Sequence, residues 1–363
     1  MVYLDANATE PLRPEAREAM LAALVTTGNP SSVHAAGRAA RKLLEDAREV
    51  LATRFGGEPR DLVFTSGGTE ADALAVHALG AGRRVIVGAT EHDAVRAAAP
   101  RAVPFPVDKD GVGDLATLQS MLSDGAPALI CLMLANNETG TIQPIARVAA
   151  LCRSFGARLH VDAVQAAGRM DVNLACLGAH SLALSSHKLG GPAGAGALLL
   201  DPEVSTIAAL IAGGGQERGR RGGTPPLPAI AGFGAAAGAS SPDLSALRDT
   251  AEAAAIAAGA VACGAGALRL GNTTCLALPG VRADAQVIAL DLAGIAVSAG
   301  AACSSGKVTT SHVLTAMGLG PLAGQAIRIS LPWNATEADV AAFTAEYARM
   351  ADRLRMTLAP RAA

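Results

Sequence analysis

A chain of 363 residues is long enough for one large and one smaller domain, each with its own core. Its net charge of −2, from 30 basic and 32 acidic side chains, argues against a general polyanion binder. Six cysteines, at positions 131, 152, 176, 263, 275 and 303, show no paired C-x-x-C spacing, which argues against a metal or disulfide framework and for a reducing cytoplasm.

The chain enters a strand at once, through Tyr3-Leu4-Asp5-Ala6-Asn7-Ala8-Thr9, with no signal-peptide pattern before it. Residues 61–70 read as a strand, two glycines and a helix beginning at Thr69. Backbone N–H groups and the helix dipole at such a junction favour an anion, with Gly67, Gly68 and Thr69 as the contacts, although plain turn chemistry gives the same pattern. A strand at 84–87 is followed by Glu91-His92-Asp93, which opens a helix. His92 there can stack on a ring or move a proton near neutral pH, or simply cap the helix. The apolar run 128–133 is a strand leading to Asn136-Asn137-Glu138-Thr139-Gly140.

His160-Val161-Asp162-Ala163-Val164-Gln165 is an apolar strand ending in a carboxylate, and ligands of open α/β sheets sit beyond such strand ends. Asp162 suits the protonated nitrogen of a pyridine ring, and it suits a helix N-cap equally well. Ser185-Ser186-His187-Lys188-Leu189-Gly190-Gly191-Pro192 then puts one lysine on a tight turn between apolar runs. A partly desolvated amine has a lowered pKa and can form a Schiff base with an aldehyde cofactor, while a solvated loop lysine fits the same residues. The alternation of strands and helices over 62–200 predicts a mainly parallel sheet with crossover helices.

A glycine-rich loop at 213–223 is the expected joint between two domains, divided as 1–15, 16–239 and 240–363. The N-terminal piece is expected to pack with the smaller C-terminal domain, which carries helices near 243–260 and 336–354. The uncharged stretch 222–242 is too rich in proline, glycine and serine for a membrane span. Near the end, Val297 to Lys307 places Cys303 among glycines, alanines and serines after an apolar strand, which predicts an exposed and reactive thiol rather than an inert core cysteine. Arg349, Arg353, Arg355 and Arg361 give a basic C-terminal segment that could dock an acidic partner or form a solvated face.

Taken in order, these motifs resemble the cysteine desulfurases, fold-type-I pyridoxal phosphate enzymes of the aminotransferase class V group. The resemblance spans nearly the whole chain and includes Gly28-Asn29-Pro30-Ser31-Ser32-Val33-His34, Gly213-Gly214-Gly215-Gln216-Glu217-Arg218-Gly219 with Arg221 and Thr224, and Ala326-Ile327-Arg328-Ile329-Ser330-Leu331. It implies an α/β fold with a large mainly parallel-sheet domain and a smaller α+β domain. It further implies Lys188 as the Schiff-base lysine, Asp162 on the pyridine nitrogen and Gln165 on the phenolic oxygen. His92 would stack on the ring and assist proton transfer. Gly68, Thr69, Ser185 and His187 would hold the phosphate, and Thr224 would reach the phosphate of the opposite subunit of a homodimer. Asn137 and Arg328 would bind the carboxylate of L-cysteine, and Cys303 would receive the sulfur for an acceptor or cluster-scaffold protein. The Ala302-Cys303-Ser304-Ser305-Gly306 context resembles the long-loop branch.

Departures from the family pattern are Glu10 for a threonine, Ser186 for a glycine, Thr310 for a proline and Pro332 for a glycine; none removes a functional group. Within the same group a selenocysteine lyase or an aminotransferase is the nearest alternative, and Cys303 with its loop discriminates. Arg218-Gly219-Arg220-Arg221-Gly222-Gly223 prompts a nucleic-acid reading, but no aromatic residues interleave with it. Neither a membrane nor nucleic acid is an expected partner, and no metal is expected. A silent scaffold protein is disfavoured by Lys188, Asp162, His92 and Cys303 occurring together.

Overall fold

The computed structural model describes residues 1–204, 206–300 and 310–358, the last three as backbone only. The strands among the described residues are, in chain order, β1 Val2–Tyr3, β2 Leu62–Thr65, β3 Arg84–Gly88, β4 Val103–Phe105, β5 Ala128–Met133, β6 Arg158–Asp162, β7 Ser181–Ser185, β8 Gly196–Leu200, β9 Val261–Cys263, β10 Thr273–Ala277, β11 Ile295–Ala296, β12 Ser298–Ala299 and β13 Ala326–Ser330. The helices used below are α1 Pro14–Leu24, α2 Ala35–Phe55, α3 Gly68–Leu79 and α4 Asp93–Ala98.

The large sheet has seven strands in the order β2-β8-β7-β6-β5-β3-β4. Pairings from β4 through β7 are parallel, whereas β8 is antiparallel to both β7 and β2. Strands such as Ala-Leu-Ile-Cys-Leu-Met at 128–133 are buried at every position, as a sheet covered on both faces requires. Alternate residues serve the two faces. Leu62, Phe64, Ile130, Leu182 and Leu199 join a core with α2 and the helix Leu227–Gly238, whereas Val63, Ala183, Leu198 and Leu200 pack on Ala71, Leu74 and Ala75 of α3. This two-sided burial, the sheet order and the crossover helices make the α/β architecture expected from the sequence.

A four-stranded antiparallel sheet, β12-β13-β10-β9, lies later in the chain. Its Leu276, Ile327 and Ile329 form a second core with Phe343 and Tyr347 of the helix Glu337–Leu358 and with Ala251 and Ala255 of the helix Ser245–Ala257. The N-terminus joins this second unit: β1 pairs in parallel with β11, Leu4 is in the same core, and Asp5 bridges to Ser330. Residues 5–10 therefore run from the second sheet across to the carboxyl ends of the first, where Glu10 N donates to His187 O at 2.9 Å. No helix among the described residues is long and apolar enough to cross a membrane.

Candidate active site

The carboxyl ends of β2, β3, β5, β6 and β7 open on one side of the large sheet, and the loops leaving them meet around a cavity of about 310 Å³. Gly68, Thr69, His92, Asn137, Asp162, Gln165, Ser185, His187 and Lys188 all line it, together with Asn7, Asp72 and Met133. These nine expected residues span 68 to 188 in sequence, so only the parallel winding of the sheet brings them together.

After β2 the turn is held by Thr65 Oγ1 donating to Gly67 O at 2.9 Å, and α3 begins at Gly68, one residue before the expected start. The first N–H groups of a helix have no partner within it, and Gly68 and Thr69 of this first turn line the cavity. Glu70 on α3 accepts from Ser66 N at 2.7 Å and pairs with Arg221 at 2.8 Å, which fixes the glycine-rich loop beside the turn. His92 is both an N-cap and a cavity residue: its Nδ1 accepts from Ala94 N at 3.1 Å while its ring lines the cavity.

Asp162, the last residue of β6, accepts from Val164 N at 2.8 Å, and its nearby histidines are His92 and His160. Burial pushes its carboxyl up to about 7, and the neighbouring charge of Asp72 pushes the same way. A protonated pyridine nitrogen would be a fitting counter-charge for a carboxyl buried in this way. Behind it lies a buried chain the sequence reading missed: Asp72 Oδ1 meets His160 Nε2 at 3.1 Å, and His160 Nδ1 meets Ser181 Oγ at 2.8 Å. Burial holds His160 down at about 4 and lifts Asp72 to about 7, so between those values the contact joins two neutral groups. The available signal was an aspartate set within the apolar helix Ala71-Asp72-Ala73-Leu74.

Lys188 ends a short 3₁₀ turn, Ser186–Lys188, and its Nζ donates to Asn7 O at 2.5 Å and Ala8 O at 2.8 Å. His187 Nδ1 lies 3.1 Å from Thr9 Oγ1, and burial, with Lys188 beside it, lowers its imidazole to about 4. Asn7 also donates through Nδ2 to Asn137 O at 3.1 Å and to Thr273 Oγ1 at 3.0 Å, which locks the N-terminal segment over the cavity. Its motif was noticed in the sequence; its position was not legible there.

Arg328 does not line the cavity. It is buried on β13, with Nη1 donating to Asn137 O at 3.0 Å and Nη2 paired with Asp5 at 2.6 Å. Its buried Nε has no hydrogen-bond partner among the described residues, so an incoming carboxylate would supply an acceptor. Ser298 of β12 lies directly opposite Arg328, which brings the chain to Gly300 beside Glu138. Cys303 lies outside the described residues, as do Arg361 and the rest of 301–309. Thr224 is exposed on the single chain, away from the cavity.

The donor set fits pyridoxal phosphate: a helix N-terminus at α3, Ser185 and His187, a buried carboxyl at Asp162 and the amine of Lys188 all belong to one cavity lining.

The sequence profile described as aminotransferase class-V matches residues 2–343. An IscS-like cysteine desulfurase of Mycobacterium tuberculosis is 38% identical over 94% of this chain and 93% of its own length. A cysteine desulfurase of Cereibacter sphaeroides is 41% identical over 98% of this chain and 96% of its own. The X-ray structure of a NifS-like protein from Rickettsia africae matches with a TM-score of 0.90 at 33% identity, covering 97% of this chain and 99% of that one.

Proposed function

This chain belongs to the aminotransferase class-V family, and from that membership we propose that it is a pyridoxal phosphate-dependent cysteine desulfurase, converting L-cysteine to L-alanine and passing the sulfur on as a persulfide. The observation that carries the residue roles is the convergence of Lys188, Asp162, His92 and the α3 N-terminus on one cavity.

Gly68, Thr69, Ser185 and His187 would hold the cofactor's phosphate, with Asp162 at its ring nitrogen, Gln165 at its phenolic oxygen and His92 against its ring. When bound, pyridoxal phosphate supplies an aldehyde for amines and a ring that draws electrons away from the substrate's α-carbon. Lys188 would anchor it, and its Nζ would be the base that moves the substrate's α-proton. Its lodging on the carbonyls of Asn7 and Ala8 gives the released amine a defined position. Arg328 and the amide of Asn137 would bind the substrate carboxylate, a task suited to a guanidinium. The Cys303 thiolate attacks the cysteine sulfur: an S–S bond forms, the C–S bond breaks, and its electron pair stays with the carbon skeleton, which takes up a proton and leaves as alanine.

The sulfur acceptor would be a cluster scaffold or a thiolation partner in the cytoplasm. The active unit would be a homodimer in which Thr224 reaches the partner's phosphate site. The division into residues 1–15, 16–239 and 240–363 belongs to the same proposal.

Incubation of the purified protein with L-cysteine tests the reading: alanine and reducible sulfur should appear in equal amounts. Cys303→Ala should keep the cofactor and release almost no sulfide. Sulfide release by that variant at the wild-type rate would remove Cys303 from the mechanism.

A further inference from the structure

Gln165 offers the cavity one of two chemically opposite edges, an amide N–H or an amide oxygen, and its neighbours decide which. Arg169 Nη1 donates to Gln165 Oε1, and a guanidinium can only donate. Gln165 Nε2 donates to Asn7 O at 3.0 Å, and a backbone carbonyl can only accept. The two partners fix the amide in one orientation and leave its second N–H as the group available to the cavity it lines.

Arg169 is in turn held by one carboxylate. Its Nη2 meets Glu10 Oε2 at 2.9 Å, with the two side chains 9% and 5% exposed, and donates to Ala6 O at 3.3 Å, while Nη1 donates to Gln165 O at 3.1 Å. The second oxygen of Glu10 accepts from Trp333 N at 2.6 Å, just beyond the strand that carries Arg328. Without Glu10 the guanidinium would be a buried cation lacking a counter-charge, with Arg328 adding repulsion.

We propose that Glu10 is a positioning residue of the cofactor site: through Arg169 it holds the Gln165 amide with its N–H edge toward the cavity, and through the Trp333 backbone it ties that edge to the segment following Arg328. The inference rests on the cofactor reading above. It requires no contact between Glu10 and the cofactor.

The test is a double-mutant cycle on the full chain, with the cofactor removed and pyridoxal phosphate titrated back by fluorescence. Glu10→Ala should weaken binding about fivefold, the scale of one hydrogen bond, in the wild-type background. It should weaken it less than about twofold in the Gln165→Ala background, because the amide it orients is gone. Glu10→Asp should recover part of the loss, and it carries the test if Glu10→Ala does not fold. Equal losses in both backgrounds, or no loss at all, would overturn the proposal and reduce Glu10 to a packing residue. A wild-type protein that fails to bind pyridoxal phosphate would instead overturn the cofactor reading.

Discussion

At the scale of single residues, burial sets the electrostatics of the site more than ion pairing does. Asp72 and Asp162 are both raised to about 7, first by loss of water, and Asp162 further by the charge of Asp72. A carboxyl raised in the folded state binds its proton more tightly there than in the unfolded chain. Its contribution is therefore complete below the unfolded value near 4 and is lost as pH rises through about 7. Asp72→Asn removes that loss at one of the two sites. The cofactor-free variant should be more stable than wild type at pH 8 by on the order of 1–3 kcal/mol, with the two coinciding near pH 4. Urea denaturation at both pH values checks this, and a difference independent of pH would contradict it. Asp72 itself could have been suspected from an acid inside an apolar helix stretch. Its partner His160 was quoted in the β6 motif, but nothing local to either residue says that they meet.

At the scale of elements, the strands were the most legible part of the chain. Residues 128–133 are apolar on both faces because they are buried on both, 86–88 are buried likewise after the half-buried Arg84 and Val85, and the sequence-derived ranges fall on β3 and β5. The three-residue β9 and the β10 strand, which opens on two threonines, were not anticipated. The reversed direction of β8 was also not legible, since an apolar five-residue strand looks the same either way. That reversal has a consequence at the β2–α3 turn. β8 starts against the β2–α3 turn, and a Cβ on Gly196 would stand 2.5–2.7 Å from the backbone of Gly67. Backbone cannot rotate away as a side chain can. Gly196→Ala should therefore cost about 1–3 kcal/mol of stability and loosen the turn proposed to receive the phosphate. Thermal melts and cofactor titration should both move, and a variant matching wild type in both would show that the turn is not held from β8.

For the whole molecule, one chain gathers nine of the expected residues in a cavity but leaves Thr224 exposed and outside it. A role for Thr224 needs a second copy. Sedimentation equilibrium should give twice the 36.2 kDa of one chain, and Thr224→Ala should weaken pyridoxal phosphate binding about fivefold without dissociating the pair. A monomer that binds the cofactor at full affinity would end that assignment. The N-terminal segment acts at this scale too. Asn7 and Glu10 connect the second core, through Thr273 and Trp333, to the loops after β6 and β7.

The sequence by itself determined the residue types, their order and the local elements that carry them, because strand periodicity, glycine turns and helix starts are written within a few residues of one another. It also carried the family, since many ordered motifs must recur together for that. What only the tertiary structure decided is which of these groups touch. The Asp72–His160–Ser181 chain, the lodging of Lys188 on Asn7 and Ala8, the pairing of Arg328 with Asp5, and the Glu10–Arg169 pair each join residues far apart in the chain. A hydrogen bond depends on separation in space, and the order of strands across the sheet, which no local pattern encodes, is what sets that separation.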